Sequence, residues 1–243
     1  MISPTRAPAP HNSVPIGARD TAAVDPPVHL FVDLSNVFLG ARQLAAAFHE
    51  YPPALRLSAE HLHRVMSAGR PVASATLVAN ALVPEAALRH FRPWFRIIRA
   101  ETGRQTGTEQ AADQLLQNAI FLELLQPSEP GVIVLATGDG AGWRDGRGFI
   151  PTLIAARRRG FAVEVVSFAA SLNPALRDLA EAAGVLVELD DYYFAVTFME
   201  GLRRPEPILL RHGATASPCP WRTDPGFIGA AQRAARRGTE GLE

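Results

Sequence analysis

Two aspartates stand where apolar runs end. Asp33 closes VHLFVD, and Asp139 follows GVIVLAT in the stretch VLATGDGAGWRDGRGF. If both runs are strands of one sheet, two carboxylates reach the same edge. They repel one another in low dielectric, and a bound cation is the usual reason to tolerate them. Taken singly, each is also what any strand end offers, because polar loops begin there. A third acid comes from GTEQAADQLLQNAIFLEL, a segment of helical period that starts near Thr108. Glu109 and Asp113 are four apart and so share a face of its first turns. The helix dipole, with Thr108 as an N-cap, accounts for Glu109 more readily than for Asp113, which sits deeper and just before an apolar stretch. The candidate metal ligands are therefore Asp33, Asp113, Asp139 and Glu109.

Other chemistries fit these residues less well. In the glycine loop the third glycine of Gly138, Gly140 and Gly142 comes too early for a dinucleotide fingerprint, and an Asp occupies the turn. A phosphate loop of the Gly-Lys-Ser/Thr kind is excluded, because all 24 basic residues are Arg. His61 and His63 are two apart, which splays them on a helix, and the lone Cys219 forms neither a multi-cysteine metal site nor an internal disulfide. Asp33-Leu34-Ser35 lacks the paired aspartates of a phosphatase nucleophile.

The acids can converge only if the chain supplies a sheet whose strands share a direction. The apolar runs are 28–33, 72–80, 95–100, 131–137, 161–167 and 184–189. Near-continuous runs of this length, rich in β-branched residues, suit strands buried on both faces, as in a parallel sheet. Helical periods fall between them, at 36–50, 59–68, 84–95, 108–125, 149–159 and 173–183. Alternation of this kind predicts an α/β fold: a doubly wound, mainly parallel sheet with helices on both faces and right-handed crossovers. Ligands of such sheets gather beyond the carboxyl ends of the strands, where Asp33 and Asp139 are expected. Ser35 or Asn36 could cap the helix after Asp33. Arg157, Arg158 and Arg159 suit the end of a helix. Asp190 and Asp191 read as a solvated turn after the last strand, and Tyr192, Tyr193, Phe194 and Phe198 as packing groups.

Composition bounds the rest. The 243 residues balance 24 basic against 24 acidic side chains, so a polyanion must be held by a local patch rather than by the whole-molecule field. Residues 1–27 are rich in Pro, Ala and Ser without apolar period, and read as a disordered N-terminal arm. Residues 28–200 form the expected domain, and 201–243 read as a flexible tail containing Pro and Arg. No apolar run approaches the roughly 18 residues of a membrane span, and a single cysteine fits a reducing cytoplasm. A homo-oligomer is compatible with all of this.

In order along the chain, FVDLSNV at 31–37, EQAAD at 109–113, VLATGDG at 134–140, GFIPTLIAARRRGFAVEVVS at 148–167 and the closing LDDYY resemble the NYN domain, of the PIN-like or FLAP-nuclease-like superfamily. The resemblance covers roughly residues 28–198. It implies a Mg²⁺- or Mn²⁺-dependent ribonuclease fold acting on RNA, with Asp33, Asn36, Asp113 and Asp139 at the family's site positions. Hydrolysis of a phosphodiester needs an activated water and neutralised phosphoryl oxygens, which hard cations on carboxylates provide. Asn36 could orient a metal-bound water or contact a phosphate without adding charge. Arg144 and Arg147 in the glycine loop suit a bidentate phosphate clamp, although loop arginines are commonly solvated. One position departs: many members carry a second Asp two residues after the strand-end Asp, and here it is Ala141. Asp145 and Glu109 are the acids within reach of that gap. An RNA-binding or scaffold module with a degenerate site is the alternative reading.

Overall fold

The computed structural model describes residues 25–100, 108–126, 130–138 and 148–200, with the side chains of 108–111 outside that description. The chain runs β1 (Val28–Asp33), α1 (Leu34–Ala47), β2 (Leu55–Leu57), α2 (Ala59–Ser67), β3 (Val72–Asn80), α3 (Glu85–Leu88), β4 (Arg96–Ala100), α4 (Thr108–Leu124), β5 (Val132–Ala136), α5 (Phe149–Arg158), β6 (Ala162–Ser167), α6 (Pro174–Ala183), β7 (Val185–Glu188), α7 (Tyr193–Val196) and β8 (Thr197–Met199). Two short 3-10 turns lie at Pro52–Ala54 and Leu189–Tyr192.

All six apolar runs become strands of one parallel sheet, in the order β4-β3-β1-β5-β6-β7. The central strands β1 and β5 are buried along their whole length, as their unbroken apolar runs require. Edge strands β4 and β7 are buried on fewer positions, because each has a neighbour on one side only. Side chains alternate between two cores. Val28, Leu30 and Val32 face a cluster built with Leu44 of α1 and Leu62 and Met66 of α2. Phe31, Ile133, Leu135 and Val165 face the opposite cluster, with Leu116 of α4, Leu153 of α5 and Leu176 of α6. Helices thus cover both faces, and the doubly wound expectation holds. Among the described residues no helix is long and apolar enough to cross a membrane.

Four details differ from the sequence reading. The helix expected over 84–95 stops at Leu88 and continues as turns, since Pro93 has no N–H to give a helix. The first helix starts directly on Leu34, so its cap is Asp33 rather than Ser35 or Asn36. Strands β2 and β8 pair antiparallel as a separate two-stranded ribbon, so β7 is not the last strand. Asp190 is no solvated turn residue: it is 5% exposed and packed inside the 3-10 turn after β7. Tyr192 and Tyr193 are buried as packing groups, as expected, and Arg157 and Arg158 occupy the last turn of α5.

Candidate active site

The sheet order reverses direction at β1, with β3 on one flank and β5 on the other. Strand ends at such a point leave a crevice, because the connecting helices depart to opposite faces. Asp33 closes β1 at that point, paired with Val78 of β3. It is 6% exposed. Oδ1 of Asp33 accepts from the amide of Asn36 at 3.1 Å, which caps α1 and fixes the carboxylate at the strand end. On β1 the residue two before it, Phe31, belongs to the core beneath α4. Strand alternation therefore gives Asp33 the parity of the α4 face.

Asp113 comes to the same side by a different route. Helix α4 links the parallel strands β4 and β5, so it must run back from the carboxyl edge to the amino edge, with its first turns at the carboxyl edge. Ala112 and Leu116 bury themselves in the core with Phe31 and leave Asp113 half-buried beside them. The sequence-predicted pair Asp33 and Asp113 is thus brought to one edge and one face. Glu109 lies on the helix one turn earlier, and its side chain is outside the described residues, as is that of Thr108. Asp139, Ala141, Arg144, Asp145 and Arg147 also lie outside them. Among the described residues no group of three or more His, Cys, Asp or Glu side chains is gathered.

Asn36 does something the sequence did not suggest. Its Oδ1 accepts from the amide of Gly138 at 2.7 Å, tying the first turn of α1 to the chain leaving β5. The carbonyl of Gly138 accepts in turn from the amide of Asn173 at 2.8 Å. Both backbone groups of the residue before Asp139 are therefore held, one from each side. Gly138 must be glycine here by close approach: a Cβ would lie 2.5 Å from the carbonyl oxygen of Ser171 and 2.8 Å from Oδ1 of Asn36. Gly40 repeats the theme, since a Cβ there would lie 2.8 Å from Oγ of Ser171. Small residues let α1, the exit of β5 and the β6–α6 loop meet.

That loop is pinned at its far end as well. Asn173 caps α6 by accepting from the amide of Ala175 at 2.9 Å. Oδ2 of Asp190 accepts from the amide of Ala169 at 2.7 Å. Burial pushes the Asp190 carboxyl above the usual carboxylate range, against the pull of that backbone hydrogen bond. Asp190, Asn173 and Gly138 were not singled out as a set, and only the Asn-Pro at 173–174 carried a local signal, that of a helix N-cap followed by Pro.

The fold and this edge find their counterpart in one family. The NYN domain model matches residues 27–187 of the 243. No curated protein matches the chain. NYN domains are generally nuclease domains of the PIN-like superfamily; they act on RNA, and such nucleases typically use divalent metals. A parallel six-stranded sheet, helices on both faces and an aspartate closing the central strand agree with that match, and the chain belongs to the NYN domain family.

Proposed function

We propose that this chain is a metal-dependent ribonuclease that hydrolyses RNA phosphodiester bonds at the carboxyl edge of its sheet. The observation that carries the reading is the buried Asp33 at the point where strand order reverses, with Asp113 on the same face and the residue before Asp139 tied to it through Asn36. The donor set suits a hard cation: carboxylate oxygens, with no thiolate or imidazole beside them in the sequence segments concerned. Asp33, Asp113 and Asp139 would hold Mg²⁺ or Mn²⁺, and Glu109 would complete the set in place of the acid that Ala141 lacks. Such an ion supplies charge neutralisation at the phosphoryl oxygens and a water of lowered pKa.

The chain's own residues have separate tasks. Asp33 keeps one oxygen on the Asn36 amide, which fixes the direction of the other. Asn36 holds Gly138, and so sets where the chain delivers Asp139. Arg144 and Arg147 would bind the substrate phosphate. The folding unit is proposed as residues 28–200, with 1–27 and 201–243 as arms outside it.

Ala141 favours a second reading, an RNA-binding or scaffold module with a degenerate nuclease site. Incubation of the full chain with single-stranded and with structured RNA, in Mg²⁺, in Mn²⁺ and in EDTA, separates the two. The nuclease reading expects cleavage with metal and none in EDTA. Retention of RNA without cleavage under every metal condition would select the binding module.

A further inference from the structure

Strand β7 closes one side of the sheet, bonded to β6 from Val185 to Glu188 and, among the described residues, to no strand beyond it. In a parallel ladder alternate residues turn their amide and carbonyl to opposite sides, so half of the backbone groups of an edge strand point outward. A groove runs along this free edge. All four residues of β7 line it, although Val187 belongs to one core and Leu186 packs against the other. Arg177 and Glu181 of α6 flank it on one side, and Asp191 and Tyr192 lie beyond the carboxyl end of the strand. Val185 stands 43% exposed there. The strand carries neither Pro nor a basic residue, two common devices for keeping other chains off an edge.

The charge of the groove says what fits it. Glu181, Glu188 and Asp191 face the single Arg177, which donates to Glu188 at 2.9 Å and to Glu181 at 3.5 Å. Two copies of the chain pairing β7 with β7 would bring both sets of acids together, so a second copy is disfavoured. Residues 201–243 have the opposite sign, with seven arginines against four acids. Their longest apolar run is Ile208-Leu209-Leu210, followed by Arg211 and bounded by Pro207 and Gly213, the pattern of a short strand. Reach is sufficient. Glu188 and Met199 are joined by a 3-10 turn, one turn of α7 and β8, a path of at most about 25 Å. The eight residues from Glu200 to Ile208 extend to about 26–29 Å. The other edge strand, β4, carries Arg96 and Arg99 and has the wrong sign for this tail.

We infer that the segment Ile208–Arg211 of the chain's own C-terminal tail adds to the free edge of β7 as a seventh strand of the main sheet. It enters at Glu188 and runs back toward Val185, antiparallel to β7, an arrangement common at the edge of an otherwise parallel sheet. Alternation then puts Leu209 and Arg211 on one face and Ile208 and Leu210 on the other. With Arg211 on the α6 face, near the amino end of β7, it meets Glu181, whose side chain is 56% exposed. Ile208 and Leu210 lie on the face of Val185 and Val187. The tail thus occupies backbone groups that would otherwise be open to other chains. The inference is independent of the nuclease reading.

Amide hydrogen exchange of the β7 peptide in the full chain, read by mass spectrometry, tests this. Leu209→Pro removes a ladder N–H from the middle of the added strand and should speed exchange of β7 about fivefold, whereas Ala216→Pro, outside the segment, should leave it unchanged. Protection of that size means a docking constant of about 4, which moves the melting temperature by only a few degrees. Arg211→Glu and Glu181→Arg should each speed exchange about threefold, and the two together should restore the wild-type rate, since the pair is then reversed rather than broken. Exchange of β7 that is the same in the wild type, Leu209→Pro and Arg211→Glu would overturn the inference. So would protection that is lost on dilution but insensitive to Leu209→Pro, which would assign the edge to a second copy.

Discussion

At the residue scale, Asp33 has two tasks that substitution can separate. Its Oδ1 caps α1, and its charge is proposed for a cation. Asparagine caps as well as aspartate does, whereas alanine does not. Asp33→Asn should therefore leave the apo protein as stable as wild type, or more stable, since it also removes repulsion from the neighbouring acids. Asp33→Ala should cost about 1 kcal/mol more than Asp33→Asn. Both should abolish hydrolysis. Paired urea melts and RNA cleavage assays check this; equal losses of stability in the two variants would mean that the cap contributes nothing. Asp33 and Asp113 were legible as candidates because a strand end and a helix period place them without tertiary information. The role of Asn36 was not, because its partner, the Gly138 amide, is 102 residues away in sequence. A side chain that could touch a phosphate, cap a helix or brace a distant backbone looks the same in one dimension.

At the element scale, the β6–α6 loop is the brace of the site. It holds Gly138 through Asn173 and is itself held by Asp190 through Ala169. Asp190 has a raised pKa because burial disfavours its charge. Its contribution to stability is fully present below the ordinary carboxylate value, and is lost as pH rises through the raised value of the folded state. Asp190→Asn keeps an oxygen acceptor for Ala169 and removes the titration. The stability of wild type relative to Asp190→Asn should therefore fall as pH rises across that window. Urea midpoints of the two proteins at several pH values measure the difference, and a gap independent of pH would contradict it. The six strands of the main sheet were legible because each is an apolar run long enough to be buried. The β2–β8 ribbon was not: three residues on each side pair only because the fold brings them together. Asp190 was misread for the same reason, since two adjacent aspartates after a strand look like surface until a loop from elsewhere covers one of them.

At the scale of the whole molecule, the buried residues of the two cores, among the described residues, lie between Val28 and Val196, with every layer contributing. Residues 28–200 should therefore fold alone. Deleting both arms is expected to shift Tm by less than about 4 °C, equivalent to no more than roughly 1 kcal/mol. A thermal melt of the truncated protein checks this, and failure to fold would make one arm a structural element. The central claim is that acids from separate elements share a cation where the strand order of the sheet reverses. Titration of the RNA-free protein with Mn²⁺, followed by calorimetry or electron paramagnetic resonance, tests it most directly. The account predicts saturable binding by the wild-type chain that is weakened at least about tenfold in Asp33→Asn and in Asp139→Asn, both folded. Equal Mn²⁺ affinity in all three proteins, or no binding by any of them, would contradict it.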